Sequence, residues 1–499
     1  MADPLILALD QGTTSTRAIL FDAKGEALAE SGRPLDQFYP SDGWVEHDAE
    51  DIYAASVEVL RDVMRKTGRA PAEISAIGIT NQRETVVVWD RVTGRPIHKA
   101  IVWQDRRTAA RCDLLRADGR EPRVTEITGL LLDPYFSGTK IAWLLDNVEG
   151  ARARAVAGQL LAGTIDSWLV WKLTGGQVHA TDATNASRTL LFDIRQQAWS
   201  AEMAEMLNVP LAMMPRVLDC TGDFGATEAS LLGLPIPIRG VAGDQQAALM
   251  GQGCIRPGEM KATFGTGCFM LINTGETAPV SRARLLTTVA ARVDGRTTYA
   301  LEGAIFIAGA AIQWMNEGLQ VGGGPQGVEA LALAARDDLG VVLVPAFTGL
   351  GAPWWDAGAR GAITGLTRDA SLAEIARAAF DASALQTRDL IEAMRADAPE
   401  AFHEKVEMRI DGGMSRSVWF SQRLADLTGV SVCRATYGET TALGAALFAG
   451  IGAGVYRDVD EATGARPATE VYAPVMDATR REAAYARWLD AVARVRSQT

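Results

Sequence analysis

Two short turns in this sequence, Asp10-Gln11-Gly12-Thr13-Thr14-Ser15 and Phe264-Gly265-Thr266-Gly267, have the composition that holds phosphate. Glycine tolerates the left-handed backbone that lets several N–H groups converge on one oxygen, and hydroxyl side chains add neutral donors. Either turn alone is an ordinary Gly-rich connection. Two of them, about half a chain apart and each set between apolar runs, read together as a nucleotide clamp. Asp10 carries the hard oxygen that Mg2+ prefers, or else it simply starts the turn. Asp244, in "GVAGDQQAAL", lies where an apolar run meets an alanine-rich segment. It either caps a helix or presents a carboxylate to a cleft, and a helix N-terminus facing a cleft suits substrates that carry negative charge. In "ITNQRETVVVW", Arg83 and Glu84 place a cation and an anion between two strand-like runs, where they are either solvated at a junction or paired for a polar ligand.

Other familiar patterns fail. No GxxxxGK[ST] is present, so the phosphate turns are not a P-loop. "DFG" at 223–225 lacks the companion kinase motifs and is a chance match. "GGGPQG" at 322–327 fits G-x-G-x-x-G but follows a helical stretch and not a strand, so it reads as a flexible connection. His47, His98, His179 and His403 show no metal-ligand spacing.

The elements that must position these residues are strands and helices in alternation. "LILALDQGTTSTRAILFDAKGEALAE" reads as strand, polar turn, strand, hairpin turn, strand, and "EMKATFGTGCFMLINTG" repeats the strand-turn-strand unit in the second half. That recurrence predicts an internal duplication. Helical spacing over 51–66 and 369–396, between strands such as "ISAIGIT" and "VEMRIDGG", indicates an α/β protein. At 499 residues one core is not enough. The expected division is 1–247 and 248–499, with a cleft between the halves. The closing stretch "PVMDATRREAAYARWLDAVARV" reads as an amphipathic helix packed on the same molecule.

Composition narrows the function. Hydrophobic residues make up 48% and charged residues 22%, as in an ordinary globular protein. A net charge of -12 argues against a broad nucleic-acid surface, so an anion must be held locally. Five cysteines without CxxC spacing fit a reducing compartment. Neither the short N-terminal apolar run nor "ALGAALFAGIGAGV" reaches signal-peptide or membrane-spanning form. A cytoplasmic location without membrane insertion is the expectation.

Together these stretches, with "GWVEHD", "IVWQDRRTA", "DPYFSGTK", "TDATNASRTLLF", "YALEGA" and "PAFTGLGAPWWD", resemble the FGGY family of carbohydrate kinases, nearly end to end. "NQRET", "DPYFSGTK" and "GDQQ" point to its glycerol-phosphorylating members. The resemblance implies two RNase H-like domains of the actin-like ATPase type with the catalytic cleft between them. It implies ATP and glycerol as substrates, Mg2+ as cofactor, and a homodimer or homotetramer. By the same resemblance Asp244 is the general base, and Arg83, Glu84, Tyr135, Asp244 and Gln245 hydrogen-bond the three hydroxyls. Trp103 and Phe269 wall in the carbons. Thr13, Thr14, Ser15 and Arg17 surround the transferred phosphate, Thr266 holds the ADP phosphates, and Asp10 holds Mg2+. Gly309, Gln313 and Gly413 line the nucleoside pocket. Charged partners suit a neutral triol, because hydrogen bonds to charged groups are worth about 1.5–3 kcal/mol each and a missing hydroxyl leaves one unpaired.

Two departures stand out. Ser417, in "DGGMSRSVWF", replaces the first of an Asn pair common in the family, which puts the side-chain contact to adenine in question. "GATEASLLGLPIPIRG" lacks the Gly- and Lys-rich loop that serves sugar-phosphate inhibition in some bacterial relatives, so feedback by that route is not expected. The rival readings are a related kinase for a longer polyol or ketose, such as erythritol or xylulose, and an actin- or chaperone-type nucleotide switch. The second gives "NQRET" and "GDQQ" no evident use.

Overall fold

In the computed structural model, which describes residues 4–336, 340–402, 406–435, 438–464 and 469–497, the first two apolar runs form the strands Leu5–Gln11 and Ser15–Asp22. They are buried along most of their length because the sheet is covered on both faces, which favours continuous apolar runs over alternation. They pair antiparallel, and Ala27–Pro34 adds antiparallel beyond the second. On the other side of Leu5–Gln11, Ile74–Asn81 and then Ile238–Gly243 add in parallel.

The second half repeats this plan. Met260–Phe264, Cys268–Gly275 and Arg296–Ile305 form the antiparallel part, and Glu407–Asp411 and Ser431–Ala435 continue it in parallel. In each sheet the five strands run third, second, first, fourth, fifth in their own chain order. This common order and direction is the structural form of the duplication expected from the two strand-turn-strand units. The second sheet has extra edge strands, Leu286–Val293 and Thr469–Tyr472.

Helices cover the sheets where their end signals predict. Ala49–Thr67 starts at Asp48, whose carboxylate accepts from Glu50 N–H, and stops at Gly68 in the left-handed region. Leu372–Asp397 opens on a Ser371/Glu374 capping box. Between the fourth and fifth strands of the first sheet lies an insertion with its own core, including Val86, Val88, Phe136 and Ile141. The C-terminal helix Ala478–Val495 buries Trp488, Ala491 and Val492 against the second lobe.

The expected boundary at residue 247 falls inside the helix Asp244–Gly251. That helix crosses Thr440–Gly452, a helix from late in the chain that packs back on the first sheet. Its Leu443, Ala446 and Leu447 meet Ile6, Ala8, Ala76 and Ala242. Residues 1–247 therefore lack part of their own lobe's packing. Glycine permits the crossing: a Cβ at Gly251 would lie 1.9 Å from the Thr440 carbonyl oxygen, and one at Gly444 would lie 1.8 Å from that of Ala247.

The rejected motifs have ordinary roles. "GGGPQG" is not the flexible connection expected, since its last four residues form the first turn of the helix Gly324–Ala334 with Gly323 as the N-cap, and Asp223 pairs with Arg239 at 2.7 Å. Among the described residues no cluster of three or more His, Cys, Asp and Glu side chains could hold a metal; His403 lies outside them. All five cysteines are buried, and none is joined in a disulfide. No described helix is long and apolar enough to cross a membrane.

Candidate active site

The parallel strands of the first sheet end together, and three groups singled out in the sequence stand at those ends. Asp10 lies near the end of Leu5–Gln11, Arg83 just beyond Ile74–Asn81, and Asp244 just beyond Ile238–Gly243. The crevice at the carboxyl ends of such strands is the usual ligand site of an open α/β sheet. Asp244 is the first residue of its helix, with Gly243 at the capping position, so its carboxylate is not the N-cap. It accepts from Gln245 N–H at 2.6 Å, forms an ion pair with Arg83, whose Nε lies 3.2 Å away, and stays about one-third exposed. Gly243 is needed here, because a Cβ would lie 2.8 Å from Arg83 Cγ and Cδ.

Burial raises the Asp244 pKa, while the positive charges of Arg83 and Lys261 and the Gln245 N–H work in the other direction. Asp10 is pushed up to about 7 by burial and by the nearby negative charge of Asp244, with Arg17 opposing. Two carboxylates repelling each other beside a phosphate turn are a setting that a divalent cation relieves.

Arg83 and Glu84 are both buried and belong to a ring of four alternating charges. Arg83 donates to Glu302 at 2.6 and 3.3 Å, Arg188 donates to Glu302 at 2.9 Å and to Glu84 at 2.6 Å, and Arg83 Nε lies 3.8 Å from Glu84. Burial raises the Glu302 pKa, but Arg188 and Arg83 outweigh it and hold the carboxyl at about 2. Arg188 and Glu302 were not among the expected site residues. Each lies in a quoted stretch, "TNASRTLLF" and "YALEGA", yet each reads there as one charge in an unremarkable run.

Glu84 has φ +61°, and Thr85 N–H donates to Arg83 C=O at 2.7 Å, so Glu84 is the centre of a strained three-residue turn. The turn is held by its own carbonyl, which accepts from Ser137 Oγ at 3.0 Å and from Lys140 Nζ at 3.3 Å. Lys140 also donates to the Tyr135 carbonyl at 2.5 Å, and burial lowers its pKa to about 7. The segment "DPYFSGTK" thus supplies both Tyr135 and the clamp on Glu84.

The expected aromatic residues come together across the lobes. The Trp103 ring meets Tyr135 at 5.6 Å and Phe269 at 6.5 Å, edge to face in both cases. Trp103 Nε1 donates to Thr13 Oγ1 at 2.8 Å, which ties this wall to the first phosphate turn. Gln82 Nε2 reinforces the link by donating to Gln11 Oε1 and to the Gly12 carbonyl, both at 3.1 Å. Within the turn, Thr14 is exposed and Thr13 and Ser15 partly so. Arg17 pairs with Glu439, at the start of the late helix Thr440–Gly452.

The second turn sits against another helix start. Thr266 is exposed at its tip, its carbonyl accepts from Ala308 and Ala310 N–H, and Gly309 N–H donates to Gly265 C=O at 3.0 Å. A Cβ at Gly309 would lie 2.5 Å from that same oxygen. Gln313 is exposed one turn along and donates to Glu317. Gly413 is exposed with open space where a Cβ would be. Ser417 caps the helix Val418–Thr428, accepting from Phe420 N–H at 2.9 Å, and donates to Glu329 at 2.7 Å. Its hydroxyl is thereby engaged within the protein.

Comparison with known proteins identifies the family of the chain. The model of the N-terminal domain of the FGGY family of carbohydrate kinases matches residues 5–251, and that of the C-terminal domain matches residues 260–453. The chain is 55% identical to the glycerol kinase of Chelativorans sp. (strain BNC1), over 98% of both chains. It is 54% identical to that of Alcanivorax borkumensis, over 99% of this chain and 98% of the other. Among solved structures it superposes on the crystal structure of Plasmodium falciparum glycerol kinase with ADP with a TM-score of 0.94 at 32% identity, covering 100% of this chain and 99% of that one. The xylulose kinase of Rhodospirillum rubrum gives a TM-score of 0.86 at 25% identity, over 98% of both chains.

Proposed function

The chain belongs to the FGGY family of carbohydrate kinases, and from that membership we propose that it transfers the γ-phosphoryl group of ATP to glycerol, giving sn-glycerol 3-phosphate and ADP. The observation that carries this reading is the convergence of Asp10, Arg83 and Asp244 at the ends of three adjacent parallel strands, with a Thr/Ser-rich phosphate turn on the same rim. The full-length likeness to glycerol kinases supports glycerol over a longer sugar.

In this reading Arg83, Glu84, Tyr135, Asp244 and Gln245 hold the hydroxyls of glycerol, and the edges of Trp103, Tyr135 and Phe269 enclose its carbons. The neutralised ring around Arg83 and Glu84 keeps both side chains oriented before substrate arrives, which lowers the ordering cost of binding. Asp244 takes the proton from the terminal hydroxyl as its oxygen attacks the γ-phosphorus. Its carboxylate is anchored by Arg83, yet one-third of the side chain remains open to the cleft. The hydroxyls of Thr13, Thr14 and Ser15 and the guanidinium of Arg17 steady the transferred group, and Thr266 steadies the phosphates of ADP. Gly309, Gln313 and Gly413 border the nucleoside. Ser417 contributes through its backbone and as a helix cap.

Phosphoryl transfer gains chiefly from positioning and charge neutralisation. Mg2+ bound with ATP supplies part of that neutralisation, and Asp10, carrying a charge unrelieved by its neighbour Asp244, is the residue that would hold it. Closure of the lobes over the cleft excludes water from the γ-phosphate. The reading places the protein in the cytoplasm as a homodimer or homotetramer, which light scattering tests. The substrate assignment is tested by a coupled ADP-release assay across glycerol, dihydroxyacetone, erythritol and xylulose. Glycerol should give the highest kcat/KM, and faster turnover of xylulose or erythritol would overturn the assignment.

A further inference from the structure

Lys261 lies in the strand Met260–Phe264 of the second lobe and has no solvent exposure. A buried ammonium needs acceptors and opposite charge. Its Nζ donates to Gln245 Oε1 at 2.5 Å. Burial lowers its pKa, while the negative charges of Asp411 and Asp244 support the protonated form. Asp411 is itself fixed by Thr440 Oγ1 at 2.6 Å and Gln252 Nε2 at 3.0 Å.

An ammonium offers only donors, so the Gln245 amide must turn its oxygen toward Lys261. The amide nitrogen then points away, and among the described residues it makes no hydrogen bond. Gln245 is partly exposed and adjoins Asp244. We infer that Lys261 is a positioning residue that fixes Gln245 as a hydrogen-bond donor toward the acceptor alcohol. Asp244 beside it offers only acceptors, so the two neighbours present an acceptor and a donor together. A hydroxyl, which both donates and accepts, matches that pair. Because Lys261 and Gln245 flank the junction between the lobes, the contact also sets the acceptor site against the nucleotide-holding half. This inference rests on the assignment of glycerol as substrate.

The test is a double-mutant cycle in the full chain with Lys261→Met, Gln245→Met and the pair, reading KM for glycerol and for ATP, kcat and the thermal midpoint. Lys261→Met should raise the glycerol KM about tenfold, the worth of one oriented hydrogen bond, with the ATP KM within about twofold. In the Gln245→Met background the same substitution should add less than about twofold. An equal rise in both backgrounds overturns the inference, as does a rise confined to ATP. Gln245→Glu keeps a partner for Lys261 but removes the donor, so it should raise the glycerol KM without lowering the thermal midpoint. A wild-type KM in that variant also overturns it, even if Lys261→Met does not fold. Failure of the unaltered protein to phosphorylate glycerol would instead remove the substrate assignment itself.

Discussion

Arg83 and Glu302, 219 residues apart in the chain, are joined by hydrogen bonds of 2.6 and 3.3 Å in a setting closed to solvent. One comes from the end of a first-lobe strand and the other from the second-lobe strand Arg296–Ile305. The side chain proposed to grip the acceptor is thus oriented from across the cleft.

Glu302→Gln leaves the two buried guanidinium groups with Glu84 between them and, at Arg83, the partly exposed Asp244. Breaking a buried ion network from one side costs about 3–5 kcal/mol. The urea midpoint should fall accordingly, and the glycerol KM should rise more than the ATP KM. A variant with the original midpoint and both KM values unchanged would show that the ring neither stabilises nor orients.

The same carboxyl predicts a pH effect. Glu302 is held at about 2 in the folded protein against an ordinary 4.5. A depressed carboxyl contributes stability that is complete above the unfolded value and lost as pH falls through the folded one. The contribution is about 3 kcal/mol. Chemical unfolding measured from pH 6 to pH 2 should show a loss below about 4.5 that is smaller in Glu302→Gln by this amount. Parallel curves would rule the contribution out.

Trp103 joins the acceptor wall to the phosphate turn through its bond to Thr13. Trp103→Phe keeps a ring but removes the donor, at a cost of about 1 kcal/mol. Lower kcat with ATP is expected alongside weaker glycerol binding. An effect on the glycerol KM alone would mean that the link carries nothing to the turn.

Gly444→Ala tests the helix crossing on which the first lobe depends. The new methyl group would meet the Ala247 carbonyl oxygen at 1.8 Å, so the helices Asp244–Gly251 and Thr440–Gly452 must separate. Overpacking of this kind costs about 1–3 kcal/mol. Because Asp244 begins the first of these helices, activity should fall with the thermal midpoint. Unchanged stability would mean that the contact relaxes freely.

Much of this architecture was legible in the residues. The phosphate turns could be found because glycine and hydroxyl side chains interrupt otherwise continuous apolar runs, and the repeat of that pattern pointed to a duplication, whose common strand order only the coordinates reveal. The return of Thr440–Gly452 to the first lobe was hidden, because an apolar, glycine-rich helix packs equally well on either sheet by composition. Arg188 and Glu302 were missed for a related reason: their meaning lies in partners more than 100 residues away, and a lone charge in a strand or turn usually faces solvent. Ser417 could be seen as a departure from the family's asparagine, but its engagement with Glu329 required coordinates. Lys140 was within a quoted motif, yet its role as a clamp on the Glu84 carbonyl depends on the positive φ of that residue, which no side-chain pattern announces.

The most direct test is glycerol-dependent ADP release by Asp244→Asn, with folding checked by thermal unfolding and ATP binding measured alongside. The amide keeps the shape of the side chain but cannot take the hydroxyl proton, so kcat should drop about 100-fold or more while ATP binding persists. Wild-type kcat in a folded Asp244→Asn protein would contradict the assignment of that carboxylate as the base.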